Sequence, residues 1–430
     1  MMNKKAMSKM MTILIVVIVL VAAVASTYVA TTLMAPSKKQ AKLQLMTEYT
    51  SGSLKEAIEM VCSKFNQQNP DVLVVHQPID HATLNNIMPI WLGTSSAPDL
   101  HQWFGGARSK ELVDLGYCVD WTTEFNKIKD EFPLGVQNGH MLVNGKAYSV
   151  PIAVHTYGLF YMKGILAQYN IQPPSTWAQL VAACVKIETE SGGAISPWVV
   201  PAKFPWTPDL QFTSILSQSV SSDFFNGLLD GTQSWQDDKV LYALQRYAEV
   251  VPYLVSDYKE LDEFGATQAL AAGRTALDIS GPWRNSMLKD AGKTPITDYD
   301  WVPVPEILAQ YKTQMPTHSD VIVANTHTLY PEECKRFLAY CASKEAQEIF
   351  AQKGGNIAGN SEINLGVYDA VQTKIYNYMQ TTTDVVVEVS LAVRQEVTNP
   401  WFDLMAEFCA HPERYEDIAR RLDQIAWAPT

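Results

Sequence analysis

The stretch "LQLMTEYTSGSLKEAIEMVCSKFNQQNPDVLVV", Leu43 to Val75, constrains the fold more than any other. Lys42–Met46 alternates apolar and polar residues with the period of a strand. Thr47-Glu48-Tyr49 turns polar, and Thr50-Ser51-Gly52 leads into a helix over Leu54–Gln67. Leu54, Ile58, Met60, Val61 and Phe65 are its apolar residues. Ser51 or Ser53 can cap that helix, and Asn69-Pro70 stops it. Asp71–His76 is then a second strand. Asp80–Leu92 and Ala107–Leu115 read as helices, with a strand opening at Ala97-Pro98-Asp99-Leu100 between them. Such alternation predicts an α/β protein with a mainly parallel sheet.

Further along, Asn144-Gly145 is a hairpin turn signal, with strands over Tyr148–Val154 and Tyr157–Met162. Pro173-Pro174 breaks the chain, and Ser175 caps a helix starting near Trp177. Pro205–Glu260 is largely helical. Strands are expected at Arg274–Ser280, Asp300–Val304 and Val321–Ala324. Pro331–Lys353, Tyr368–Met405 and Glu413–Ala426 are expected to be helical.

A chain of 430 residues exceeds one hydrophobic core, so two domains are expected. Net charge is −12, which argues against nucleic acid, because phosphate binding needs a basic face. Near the N-terminus, "MMTILIVVIVLVAAVASTYVATTLMAP" carries no charge between Lys9 and Lys38. That run is long enough to span a bilayer. It reads either as an uncleaved anchor or as a signal cleaved after Ala23-Val24-Ala25. Both readings put the body outside the cytoplasmic membrane.

The six cysteines include no C-x-x-C pair, so zinc-finger and redox motifs are absent. Cys334 and Cys341 on one helix would lie about 10 Å apart, beyond the ~7 Å reach of a disulfide. Buried free thiols are expected, with a bridge between distant segments left open. His76 and His81, the nearest histidine pair, lack the helical spacing of metal ligands. No metal and no cofactor is expected, and no nucleotide-binding or hydrolase motif occurs. Glu48 with Asp320 is the carboxylate pair that a glycosidase reading would use.

Aromatic residues instead stand beside hydrogen-bonding groups at loops and strand ends. Glu48-Tyr49 ends the first strand, and "DLHQWFGG" sets Trp103 just after another. "AVHTYG" places His155 and Tyr157 between strands. "KFPWTPD" puts Trp206 between prolines, and "DISGPWRNSM" puts Trp283 at a helix start. Rings of this kind cover the C–H face of a sugar, while polar neighbours satisfy its hydroxyls. Small-ligand sites combine apolar walls with a few placed polar groups in this way. Trp121, Trp301 and Trp401 read as packing, and Trp177 as a staple of its helix.

The segments "EYTSGSLKEAI", "APDLHQWFGGARSKELVDLGYCVDWT", "GKAYSVPIAVHTYGLFYMKGILAQYNIQPPSTWAQLV", "AAGRTALDISGPWRNSMLKDAG", "DYDWVPVP" and "CKRFLAYCASKEAQEIFAQKGGNIAGNSEI" occur in that order. Together they resemble family 1 extracellular solute-binding proteins, the sugar-binding subunits of ABC importers. "TSG" after the first strand and His after "VP" are similar to the monosaccharide, glucose-type branch. That branch usually shows a Trp pair before "TSG", where this chain has Glu48-Tyr49.

The resemblance implies a two-lobed α/β, periplasmic-binding-protein-like (type II) fold with the ligand in the cleft, preceded by the N-terminal helix of residues 1–36. Lobe one is expected over 41–150 plus 299–345, and lobe two over 151–298 plus 346–430. It implies hinge closure on a carbohydrate by a monomer that hands its ligand to permease subunits. Glu48, Tyr49, Trp103 and Asp320 would bind from lobe one, and His155, Tyr157, Trp206 and Trp283 from lobe two; Asn356 is a weaker candidate. A ligand sensor and an extracellular carbohydrate-active enzyme are the alternative readings.

Overall fold

The structure is a computed structural model and describes residues 40–382 and 384–427. The expected signal or anchor at residues 1–36 lies outside the described residues. Among the described residues, no helix is long and apolar enough to cross a membrane.

The chain folds into two α/β lobes, each built on its own sheet. The first sheet contains β1 (Ala41–Thr47), β2 (Val72–Pro78) and β3 (Leu100–Phe104). β2 and β3 flank β1 in parallel. A two-stranded hairpin, β4 (Leu142–Val143) and β5 (Lys146–Ala147), follows. Its turn is Asn144-Gly145 with φ of 51° and 77°, the positive values that a tight hairpin turn requires. β6 (Ser149–Thr156) and β7 (Gly158–Met162) come next, then β8 (Ser196–Trp198), β9 (Thr275–Ser280) and β10 (Tyr299–Pro303). The second sheet runs β10-β7-β9-β8. β11 (Gln314–Ala324) and β12 (Asp384–Val387) return to the first sheet, whose order is β12-β11-β3-β1-β2 with β6 also paired to β11.

The sheets are mixed rather than mainly parallel. β11 runs antiparallel to both β3 and β6, and β7 runs antiparallel to β9 and β10. The reason lies in the crossings. A strand that arrives from the other lobe enters its sheet against the direction of the local strand–helix–strand units. β6 and β11 lie side by side at the junction between lobes, and β6 passes through Tyr157 into β7.

Helices cover both faces of the first sheet. Gly52–Gln68 and Pro331–Ala342 bury Ile58, Val61, Phe65, Phe337 and Leu338 on one face. His81–Trp91 and Ala107–Asp114 bury Leu84, Met88 and Leu112 on the other. The second lobe has a separate core that includes Trp177, Trp198, Phe212, Tyr247, Trp301 and Trp401.

Several expectations need correction. β10 pairs with β7, and Tyr299 and Trp301 join the second core, so residues from 299 up to β11 belong to lobe two. Ala346, Ile349 and Phe350 pack in the first core, which moves the later boundary past 345. The expected helix Pro331–Lys353 breaks at Ser343, whose extended backbone and side chain cap a new helix, Lys344–Gln352. Tyr368–Met405 is interrupted by β12. Thr176, not Ser175, caps the helix Trp177–Ser191, closing a capping box with Gln179. All six cysteines are buried and free.

Gly158 in β7 lies beneath the indole of Trp301, where an added Cβ would come within 2.4 Å of ring atoms. Gly158→Ala is expected to destabilise the chain by about 1–3 kcal/mol through overpacking. Urea unfolding measures this, and an unchanged midpoint would contradict the packing described.

Candidate functional site

The carboxyl end of β1 delivers Glu48 and Tyr49 to the junction between lobes. Gln102 of β3 locks Glu48 in place: Gln102 Nε2 donates to Glu48 Oε1 (2.9 Å), and the Glu48 amide donates to Gln102 Oε1 (3.1 Å). Glu48 Oε2 is in short contact with His81 Nδ1 at the start of helix His81–Trp91. Burial opposes the His81 imidazolium, but the Glu48 carboxylate outweighs it and raises the His81 pKa above its ordinary value.

Tyr49 turns inward, and its hydroxyl donates to Asp320 Oδ2 (2.9 Å). His155 Nε2 lies 3.2 Å from the same oxygen. His155 and His318 face each other across the β6–β11 ladder with ring centroids 4.4 Å apart. Tyr157 places its hydroxyl 2.5 Å from His318 Nδ1 and also donates to Glu388. Burial, with Asp209 beside it, pushes the Glu388 carboxyl well above the usual carboxylate range. Burial raises Asp209 as well, opposed by hydrogen bonds of which that from Ser390 is the first.

The second lobe supplies the aromatic wall. Trp283 stands at the start of helix Trp283–Asp290, with its ring folded over Gly281, where a Cβ would lie 2.0 Å from a ring carbon. Its centroid is 5.1 Å from His155, 5.8 Å from His318, 6.2 Å from Tyr157 and 5.9 Å from Trp206. Across the cleft, the His81 ring is 5.5 Å from Trp206 and 6.1 Å from Phe204. The two lobes therefore touch, and the conformation is closed. A second interlobe contact lies beside it. Asp290 Oδ2 accepts from the amide (3.0 Å) and hydroxyl (2.9 Å) of Ser53, at the first turn of helix Gly52–Gln68.

Arg284 anchors the helix that carries Trp283. It is fully buried, with Nε donating to Asp278 Oδ2 (2.7 Å), Nη1 to the Glu263 carbonyl (2.8 Å), and Nη2 in short contact with the Glu263 carboxylate. These partners outweigh the burial that would lower its pKa.

Glu48, Tyr49, His155, Tyr157, Trp206, Trp283 and Asp320 thus converge. Trp103 does not join them. It is buried in the first lobe's own core, donating its indole N–H to the Arg108 carbonyl (3.1 Å), with Arg108 over its ring. Adjacent strand residues point to opposite faces, so Gln102 takes the place expected of Trp103. Asp320 sits within β11 rather than in a turn before it. Asn356 bonds the Ile152 carbonyl at the hinge (3.3 Å). His81, Gln102, His318 and Glu388 are site residues that the sequence reading missed. His318 stands two residues before Asp320, a period-two signal for one strand face. Glu388 has no local signal, because it arrives through the pairing of β12 with β11.

The model of the family described as "Bacterial extracellular solute-binding protein" matches residues 51–348. The chain belongs to that family. An uncharacterised ABC transporter extracellular-binding protein of Pyrococcus horikoshii is 24% identical over 79% of this chain and 76% of its own length. The melibiose/raffinose/stachyose-binding protein MelE of Bacillus subtilis is 24% identical over 45% of each chain. Among solved structures, the bacterial solute receptor AcbH, described as preferring β-D-galactopyranose, superposes with a TM-score of 0.82 at 18% identity. That match covers 90% of this chain and 98% of AcbH. A chitin oligosaccharide binding protein gives 0.81 at 16% identity, covering 91% and 100%. These structural likenesses carry the two-lobed fold. Family membership makes the chain an extracytoplasmic solute-binding component.

Two consequences of the geometry are measurable. Arg284→Met strands the buried Asp278 and the partly buried Glu263 carboxylates and is expected to cost on the order of 3–5 kcal/mol in urea unfolding; a loss below about 1 kcal/mol would mean the triad supports little. The raised His81 pKa adds stability that is complete below about pH 6.5 and is lost as pH rises through the folded value. The stability difference between wild type and Glu48→Gln should therefore be larger near pH 6 than near pH 9, both approximate bounds on that window. A difference independent of pH would contradict the ion pair.

Proposed function

We propose that the chain is the substrate-capturing subunit of an ABC importer and that its ligand is a sugar, bound where Glu48, Tyr49, His155, Trp206, Trp283 and Asp320 meet. The observation that carries this reading is the composition of the junction. Indole rings from the second lobe face imidazole, carboxylate, amide and phenol groups carried by the first sheet and its helices, which suits a molecule with apolar faces and a hydroxyl equator. Relatives named for melibiose, raffinose and stachyose, for β-D-galactopyranose and for chitin oligosaccharide support the carbohydrate class.

Both lobes contribute contacts, so only the closed form makes them all, and the ligand shifts the population towards closure. The lobes would rotate about the β6 and β11 crossings. The permease would read the closed surface, and the sugar would be held and released unchanged. The protein would act as a monomer, held at the membrane or released from it according to the fate of residues 1–36.

A thermal-shift screen against mono-, di- and trisaccharides, polyols and short peptides tests the reading. A ligand at a hundredfold excess over Kd adds about 2.7 kcal/mol of stability. One sugar size class should raise the melting temperature, and Trp283→Ala should abolish the rise while leaving the free protein folded. A rise with a peptide alone would keep the fold and overturn the carbohydrate assignment.

A further inference from the structure

We propose that His155, His318 and Asp320 form a site for a divalent transition-metal ion of the zinc type at the floor of the cleft.

The three residues come from the two crossing strands. His318 is the ladder partner of His155, and Asp320 lies two residues further along β11, on the same strand face. One donor atom from each residue lies within 4.8 Å of the other two. His155 Nε2 and Asp320 Oδ2 are already 3.2 Å apart. Tetrahedral bonds of 2.0–2.1 Å would set ligand atoms about 3.3 Å from one another, so small side-chain adjustments close the set. All three residues are buried.

The surroundings match what such ligands need. Tyr157 engages His318 Nδ1, which leaves Nε2 as the free ring nitrogen, and Glu388 holds Tyr157 in turn. Tyr49 orients Asp320. Outer hydrogen bonds of this kind fix the tautomer and orientation of metal ligands. The other ring nitrogen of His155, Nδ1, is buried without a partner. Two imidazoles with one carboxylate suit zinc, cobalt, nickel or iron better than calcium or magnesium. Three protein ligands leave a position open for water or a bound solute, and Trp283 packs against both imidazoles.

The test uses the untagged full-length chain, treated with EDTA and titrated with Co²⁺. The expected result is one equivalent of cobalt with the visible d–d bands of four- or five-coordinate metal, displaced by Zn²⁺. His155→Gln and His318→Gln should each weaken binding about 10–100-fold or more, the loss that even outer-shell changes bring. His76→Gln, away from the cluster, should bind as wild type does. Absence of those bands in the wild type overturns the proposal, as do bands that survive both substitutions. Should the variants fail to fold, X-ray absorption of the zinc-loaded wild type decides: two imidazoles and one oxygen ligand support the site, and any other protein ligand set overturns it. These readouts do not depend on sugar binding, so the metal site and the carbohydrate assignment stand or fall separately.

Discussion

The antiparallel pairing of β6 with β11 is the interaction on which the rest depends. Both strands cross between lobes, so one ladder joins the two cores and places His155, His318 and Asp320 together. Its register shifts at Asp320/Val321, where Asp320 pairs with Ala153 and Val321 with Pro151. Pro151 lacks an amide to donate, and β6 pairs with no other strand of its sheet. Edge strands and bulges are among the places where a strand tolerates proline. A bulge bends its strand and re-aims side chains. Here it sits where the chain leaves one lobe and where the polar floor of the cleft is assembled.

Buried charge supports the cleft from behind. Arg284 lies between Asp278 and Glu263, one residue after Trp283, so the ion triad fixes the helix start that presents the indole. Glu388 accepts from the Tyr157 hydroxyl, and burial with Asp209 beside it pushes the Glu388 carboxyl well above the usual carboxylate range. Arg284 and Glu388 each restrict an aromatic residue of the candidate site, holding that wall rigid.

The α/β character was legible because Leu43–Val75 states a strand, a helix and a second strand in local periodicity. Glu48, Tyr49, Trp206 and Trp283 were legible because each ends or begins an element beside a turn residue. Trp103 misled because its position is correct along the chain and wrong across the sheet. Only the face of the sheet that each residue takes decides between Trp103 and Gln102. The boundary at residue 299 failed for a similar reason. β10 looks like any half-buried strand, and its pairing with β7 spans well over a hundred residues of chain. Glu388 is a product of cross-strand register, which no local pattern encodes.

The contact between Asp290 and Ser53 reaches further than its two residues. A helix leaves its first amides without internal partners. In helix Gly52–Gln68 one of them is satisfied by a carboxylate of the opposite lobe, admitted because Gly52 has no Cβ: one placed there would lie 2.5 Å from Asp290 Oδ2. Parting the lobes hands that amide to water, and shutting them restores it, whether or not a solute is inside. Amide hydrogen exchange at Ser53 becomes an intrinsic clock for how often the jaws part.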